Sequence, residues 1–134
     1  MRAINKIIIH CTATREGDDI SVSTIRKWHL ARGWSDIGYH YLITLNGTVE
    51  VGRPESKVGA HVSGHNKDSI GIAYAGGMDK AYKNPKDTRT TEQKEALIWL
   101  IDELKKRYPG STVHGHNEYS SKACPSFDVS KEGY

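Results

Sequence analysis

The sequence predicts an α+β domain, with one central mixed β-sheet flanked by helices. Three observations predict it. Short β-branched runs recur along the chain. Two segments between them carry helical spacing of apolar residues. The resulting order is strand, helix, hairpin, strand, helix, strand, which suits one mixed sheet with helices packed on it. At 134 residues the chain has the size of one ordinary domain and can bury a core without disulfide staples. No repeat, low-complexity stretch or linker divides it, so residues 1–134 read as a single domain.

The elements follow in order. Lys6-Ile7-Ile8-Ile9-His10 is β-branched without alternation, the pattern of a strand buried on both faces. Thr12 to Asp19 is polar and reads as loop. From Ser21 the spacing becomes helical, with Ile25, Trp28, His29 and Arg32 on one stripe and Gly33 as the stop. Tyr39 to Leu45 is strand-like, then Asn46-Gly47, then Thr48 to Val51. Asn-Gly between two such runs signals a tight hairpin in which both turn residues take positive φ. Ser69 to Ala75 is a further strand, closed by Gly76-Gly77. Thr90 caps a second helix, with Gln93 completing a capping box. Leu97, Leu100, Ile101 and Leu104 form its apolar stripe, and Lys105, Lys106 and Arg107 suit its negative end. Pro109-Gly110 stops it. Ser111 to His114 makes a last short strand, and the remainder from Gly115 reads as loop. Trp28 and Trp99 lie in the helices and are expected in the core.

Composition narrows the function classes. The chain is 37% hydrophobic and 26% charged, which describes a folded globular protein and not a disordered one. Net charge is +3, but basic and acidic residues alternate along the chain, so no nucleic-acid partner is expected. No apolar run reaches membrane-spanning length, so no membrane insertion is expected. The three isoleucines before His10 are too few for a secretory signal, which implies synthesis in the cytoplasm. For such a chain a disulfide between Cys11 and Cys124 is disfavoured by the reducing compartment.

Seven histidines are many for this length. A single histidine is more often a surface or satisfied core residue than a ligand, but position changes the odds. His10 stands where a buried strand meets a polar loop, and strand ends often carry sites. His114-Gly115-His116 is followed by Lys122-Ala123-Cys124-Pro125. A histidine and a cysteine so spaced on a loop after a strand can reach one metal ion. Zinc takes imidazole and thiolate readily. Two histidines and one cysteine leave a fourth position for water, which is the catalytic type of site. His114 and His116 compete for the ligand role, because residues i and i+2 of a strand face the same way. Cys11 points away from His10 in an extended backbone and reads as a buried structural thiol.

The motifs together carry a resemblance. Ile9-His10-Cys11-Thr12-Ala13-Thr14, Ile25-Arg26-Lys27-Trp28-His29 and Gly33-Trp34-Ser35-Asp36-Ile37-Gly38-Tyr39-His40 resemble the type-two amidase family. So do Asn46-Gly47-Thr48-Val49-Glu50, Gly59-Ala60-His61, Asn66-Lys67-Asp68-Ser69-Ile70-Gly71-Ile72 and Lys122-Ala123-Cys124-Pro125-Ser126-Phe127-Asp128. That family includes phage N-acetylmuramoyl-L-alanine amidases and the animal peptidoglycan recognition proteins. The similarity runs from about residue 7 to residue 130.

The resemblance implies zinc held by His10, His116 and Cys124, in a cleft at one edge of the sheet. It implies catalytic roles for Tyr39 and Lys122. The substrate would be peptidoglycan, cut between the lactyl group of N-acetylmuramic acid and L-alanine. Some amidases of the family place a glutamate where Tyr39 falls, and this chain lacks that carboxylate. Trp34, His61 and His65 are expected to line the groove for sugar and peptide, while His29 and His40 are structural. Relatives that only bind peptidoglycan lack the cysteine ligand, and Cys124 is present here. The family's phage branch includes an inhibitor of RNA polymerase whose amino-terminal region takes part. Only six residues precede the isoleucine run that starts at Ile7, so that role has no support in the sequence. A monomer is expected. It would act as a phage or prophage endolysin reaching the wall after holin-type release, or on wall fragments in the cytoplasm.

Overall fold

The computed structural model describes residues 2–134. Its axis is β1 (Lys6–Cys11), which lies between β5 (Ser69–Tyr74) and β7 (Thr112–Gly115) and runs parallel to both. On the far side of β5 lie β3 (Tyr41–Ile43), also parallel, and β4 (Val49–Val51), antiparallel to β3. The five strands follow the order β4-β3-β5-β1-β7, so the sheet is mixed as the sequence predicts.

Both faces of this sheet are covered, which explains runs without alternation. Ile7, Ile8 and Ile9 are all fully buried. Ile7, Ile9 and Cys11 point into a core formed with α2 (Thr91–Arg107) through Leu97, Leu100, Ile101 and Leu104. Cys11 thus sits where its parity puts it. The opposite face packs Leu42, Ala73 and Ala75 under α1 (Val22–Ala31), which contributes Val22 and Ile25. Parallel partners share a face, and His10 is paired with Ala73, so His10 opens toward the α1 side.

The helix ends are built as the sequence indicates. Ser21 caps α1, its hydroxyl accepting from the Thr24 amide at 3.4 Å, and Glu50 of β4 accepts from the Val22 amide at 2.8 Å. At the other end Gly33, at φ +87°, donates to Leu30 and Trp34 donates to His29. This Schellman closure folds the Trp34 side chain back over the helix end. The Thr90–Gln93 capping box of α2 is complete. Gln93 is fully buried, and its amide donates to the carbonyls of Ile43 (3.2 Å) and Ala75 (3.0 Å). One side chain therefore caps a helix and satisfies the fraying ends of two strands.

Several expectations are corrected. Trp28 is 44% exposed and Trp99 is 58% exposed, so neither is core. Each residue of a helix turns by about 100°. Trp99 stands two residues from Leu97 and so faces away from the buried stripe. Trp28 sits one position before His29, at the margin of a narrow stripe. The hairpin has three loop residues, not two: Thr44 and Thr48 pair at 3.0 Å. Gly47 takes φ +85°, while Asn46 has no positive φ and accepts from Thr44 and Thr48 through Oδ1. In this longer loop only the last residue needs the left-handed region. The segment read as loop after Thr12 contributes β2 (Thr14–Arg15), which pairs with β6 (Gly77–Met78) in a second, two-stranded sheet. Beyond Gly115 the chain forms 3-10 turns at His116–Glu118 and Val129–Lys131.

Gln93→Leu leaves two buried carbonyls and a cap unsatisfied, and should cost about 2–3 kcal/mol. Trp99→Ser should change stability by less than about 0.5 kcal/mol. Urea unfolding of the two variants checks both; a large loss for Trp99→Ser would return that indole to the core.

Candidate metal centre and cleft

The site is a consequence of strand register. Ile9 of β1 lies opposite Gly115 of β7, so the next residues, His10 and His116, emerge side by side. Neighbouring strands are spaced by about 4.8 Å, and the two imidazole centroids are 4.7 Å apart. The turn that starts at His116 is held by Glu118, whose carboxylate accepts from the Gly115 amide at 2.6 Å. The chain then loops back and delivers Cys124. Its sulfur accepts from the Cys11 amide at 3.2 Å and lies 3.8 Å from His10 Nδ1. The Tyr74 hydroxyl donates to the Pro125 carbonyl at 2.6 Å and pins this return.

One donor atom from each of His10, His116 and Cys124 lies within 4.8 Å of the other two. Tetrahedral zinc, with bonds of about 2.0–2.3 Å, wants its ligand atoms about 3.5 Å apart. The three groups therefore fit a zinc ion if their donor atoms draw together by up to about 1.3 Å, and their chemistry is that of an open zinc site. His114 does not join them. Its ring nitrogens meet Thr112 Oγ1 at 2.7 Å and Glu118 Oε1 at 3.0 Å.

Electrostatics keeps both histidines neutral. Burial holds His10 well below the usual imidazole range, helped by His61, His116 and Lys122. Burial and then Lys122 lower His116 as well. Neutral rings offer lone pairs to a cation without releasing a proton. The Cys124 thiol is pushed up by its hydrogen bonding with Cys11 and by burial. A divalent cation held here would reverse that balance, because coordination removes the thiol proton. Both cysteines are free thiols.

Tyr39, half-buried just before β3, packs its ring 5.2 Å from that of His10 and 5.7 Å from that of His29. Burial, then the nearby Cys124 and Cys11, raises its phenol, so it remains an O–H donor. Lys122 is exposed on the return loop. A cleft of about 430 Å³ borders the cluster at His116, and Trp34, His61, Asn66, Tyr119 and Lys122 are among the other residues lining it. Trp34 leans on His29 with ring centroids 4.4 Å apart. His65 stands behind the wall and props Tyr119, their rings 4.2 Å apart. His61 is at the floor, 8% exposed, with Nδ1 at 2.8 Å from His10 Nε2 and Nε2 at 3.3 Å from Ser69 Oγ. Both its ring nitrogens are engaged inside the protein, which leaves no polar ring atom for a ligand.

His29 and His40 serve the scaffold. His29 Nδ1 accepts from the Gly38 amide at 2.9 Å, and His40 Nδ1 accepts from the Gly71 amide at 3.0 Å. Tyr119 and Asn66 line the cleft without having been singled out as site residues. Tyr119 fell in a segment with no periodicity. Asn66 spends its carbonyl oxygen on the amides of His61 and Val62, at 3.0 and 2.8 Å.

Comparison with known proteins adds an independent line. Residues 1–127 match the family profile of N-acetylmuramoyl-L-alanine amidase. An endolysin of Klebsiella phage KP32 is 44% identical over 127 residues, covering 95% of this chain and 83% of that protein. An endolysin of Escherichia phage T7 is 42% identical over 125 residues, covering 93% and 82%. Among solved structures, the N-acetylmuramoyl-L-alanine amidase LysC from Clostridium intestinale URNW superposes with a TM-score of 0.81 at 31% identity, covering 95% of this chain and 79% of that one.

Burial also ties stability to pH. It holds His40 at about 4 and His61 at about 3, against 6.5 for a free imidazole. Below pH 6.5 the unfolded chain gains protons that the fold refuses. Stability is therefore full above that value and falls as pH drops toward the folded values. Thermal unfolding in the presence of chelator should show Tm declining steadily from about pH 7 to about pH 4.5. A flat profile over that span would contradict the assignment.

Proposed function

The chain belongs to the N-acetylmuramoyl-L-alanine amidase family, and on that premise we propose that it is a zinc-dependent hydrolase of peptidoglycan acting as a phage or prophage endolysin. The bond cut is the amide between the lactyl group of N-acetylmuramic acid and L-alanine. The observation that carries the zinc dependence is the meeting of His10, His116 and Cys124 beside a cleft that His116 and Lys122 line.

His10, His116 and Cys124 would hold the ion. When bound, zinc supplies an acidified water and polarises the amide carbonyl. The rest is the work of this chain's own groups. The Lys122 side chain places positive charge near the cluster, where the amide oxygen gains negative charge as the carbonyl is attacked. The Tyr39 hydroxyl, kept protonated by burial and with its ring 5.2 Å from that of His10, would be available to donate a hydrogen bond there. Trp34 and Tyr119 offer apolar walls against which a sugar ring or stem peptide can lie. With no carboxylate at the position of Tyr39, proton movement falls to the phenol, the lysine or the water itself.

Purified peptidoglycan tests the reading. New amino-terminal alanine should appear with the zinc-loaded protein and disappear after thorough chelation; release that survives metal removal would overturn it. Cys124→Ser should lose bound zinc by elemental analysis. Lys122→Ala should keep its zinc and its KM while kcat falls about 10²- to 10³-fold. Tyr39→Phe should lower kcat about tenfold.

A further inference from the structure

The metal reading leaves unexplained a chain of hydrogen bonds that runs from His10 into the body of the protein. His10 turns Nδ1 toward Cys124, 3.8 Å away, and Nε2 toward His61 Nδ1, 2.8 Å away. His61 Nε2 meets Ser69 Oγ at 3.3 Å, and the Ser69 hydroxyl donates to the His65 carbonyl at 2.7 Å. Every member but the His65 backbone is buried. The far end fixes the direction. A carbonyl only accepts, so the serine proton points to His65. Ser69 Oγ then accepts from His61 Nε2–H. A neutral ring with its proton on Nε2 has a lone pair on Nδ1, so His61 accepts from His10 Nε2–H. That leaves the lone pair of His10 on Nδ1, the atom that faces Cys124.

The slot for His61 is built by the backbone. Gly71 of β5 lies under the ring, where a β-carbon would stand 2.6 Å from it. Gly59 borders it on another side, where a β-carbon would stand 2.7 Å from the ring. Asn66 fixes the His61 amide. The ring is thus clamped between two bare stretches of main chain with one acceptor presented to His10.

We infer that His61 is a positioning residue, which accepts the Nε2 proton of His10 and so commits the His10 ring to offering Nδ1 to the metal. It rests on the zinc reading above. It replaces the expectation that His61 is a sugar or peptide contact. Ser69 and the His65 carbonyl complete the relay, so the chain's contribution to the metal begins four groups away from it.

The test compares zinc affinity, by competition with a chelating dye, across the wild type, His61→Phe and His61→Asn. Phenylalanine keeps the ring and removes the acceptor; the asparagine oxygen can stand where Nδ1 stands. Zinc affinity should fall about ten- to a hundredfold in His61→Phe and recover most of the way in His61→Asn. At saturating zinc the KM for peptidoglycan should be unchanged in both. Equal affinity in all three proteins overturns the inference, and so does a KM that stays raised at saturating zinc. Failure of the wild type itself to bind zinc sinks the metal reading and this inference together, and is recognised without any variant. Should His61→Phe not fold, ring nitrogen-15 spectra of the zinc-loaded wild type decide. The expected pattern is His10 with metal on Nδ1 and a proton on Nε2, and His61 with its proton on Nε2. A proton on His61 Nδ1 overturns the assignment.

Discussion

The parallel pairing of β1 with β7, which sets Ile9 against Gly115, fixes where the His10 and His116 imidazoles can stand. Side chains alternate across a strand, so a slip of one residue would turn His10 into the apolar core under α2 and bring Cys11 out in its place. The slip is resisted from both faces. Ile7 and Ile9 are sealed against α2 on one side, and His10 shares the other with Leu42 and Ala73. Burying each isoleucine contributes about 2–3 kcal/mol, which far outweighs any single contact at the cleft. The hydrophobic sandwich therefore holds the imidazoles in place, and the cluster inherits its geometry from packing.

Cys124 depends on a different kind of constraint. It comes from 113 residues beyond Cys11 and is held by hydrogen bonds, not by strand pairing. The Cys11 amide, the Tyr74 hydroxyl and the Ser126 hydroxyl, which donates to the Gly77 carbonyl at 2.8 Å, dock the return loop on the ends of β1, β5 and β6. Arg89 adds a clamp from outside, its guanidinium 3.5 Å from the Phe127 ring centroid and paired with Asp87 and Glu132. One donor, His10, thus rests on the sheet, His116 on the turn directly beyond β7, and Cys124 on a tethered loop. Binding a cation would tighten that loop most, since it has the least packing of its own.

Much of this was legible in the sequence for physical reasons. The β-branched runs, the capping box at Thr90 and the stripe from Leu97 to Leu104 each follow from burial or backbone satisfaction, and local pattern reports both. His10 was legible as a group at the end of a buried strand. The choice between His114 and His116 was not, because strand parity treats them alike; what separates them is Glu118, whose carboxylate occupies the His114 ring. Trp28 and Trp99 misled because a large apolar side chain in a helix suggests core, whereas helical phase decides. The pairing of Thr14–Arg15 with Gly77–Met78 was invisible, since two residues carry no periodicity. His61 was legible as a residue of the groove, which it lines, but its hydrogen-bond partners come from β1 and β5, and no spacing along the chain announces them.

The outward placement of the indoles affects how the molecule can be watched. All three tryptophans are exposed by more than a third, and the fully buried aromatic is Tyr74. Intrinsic emission therefore says little about whether the interior is intact, because the chromophores are already wet in the native state. Trp34 is different from the other two: it rests on His29 beside the cleft, so its quantum yield responds to whatever occupies that groove. The same spectroscopic signal that fails as a reporter of unfolding becomes a reporter of occupancy.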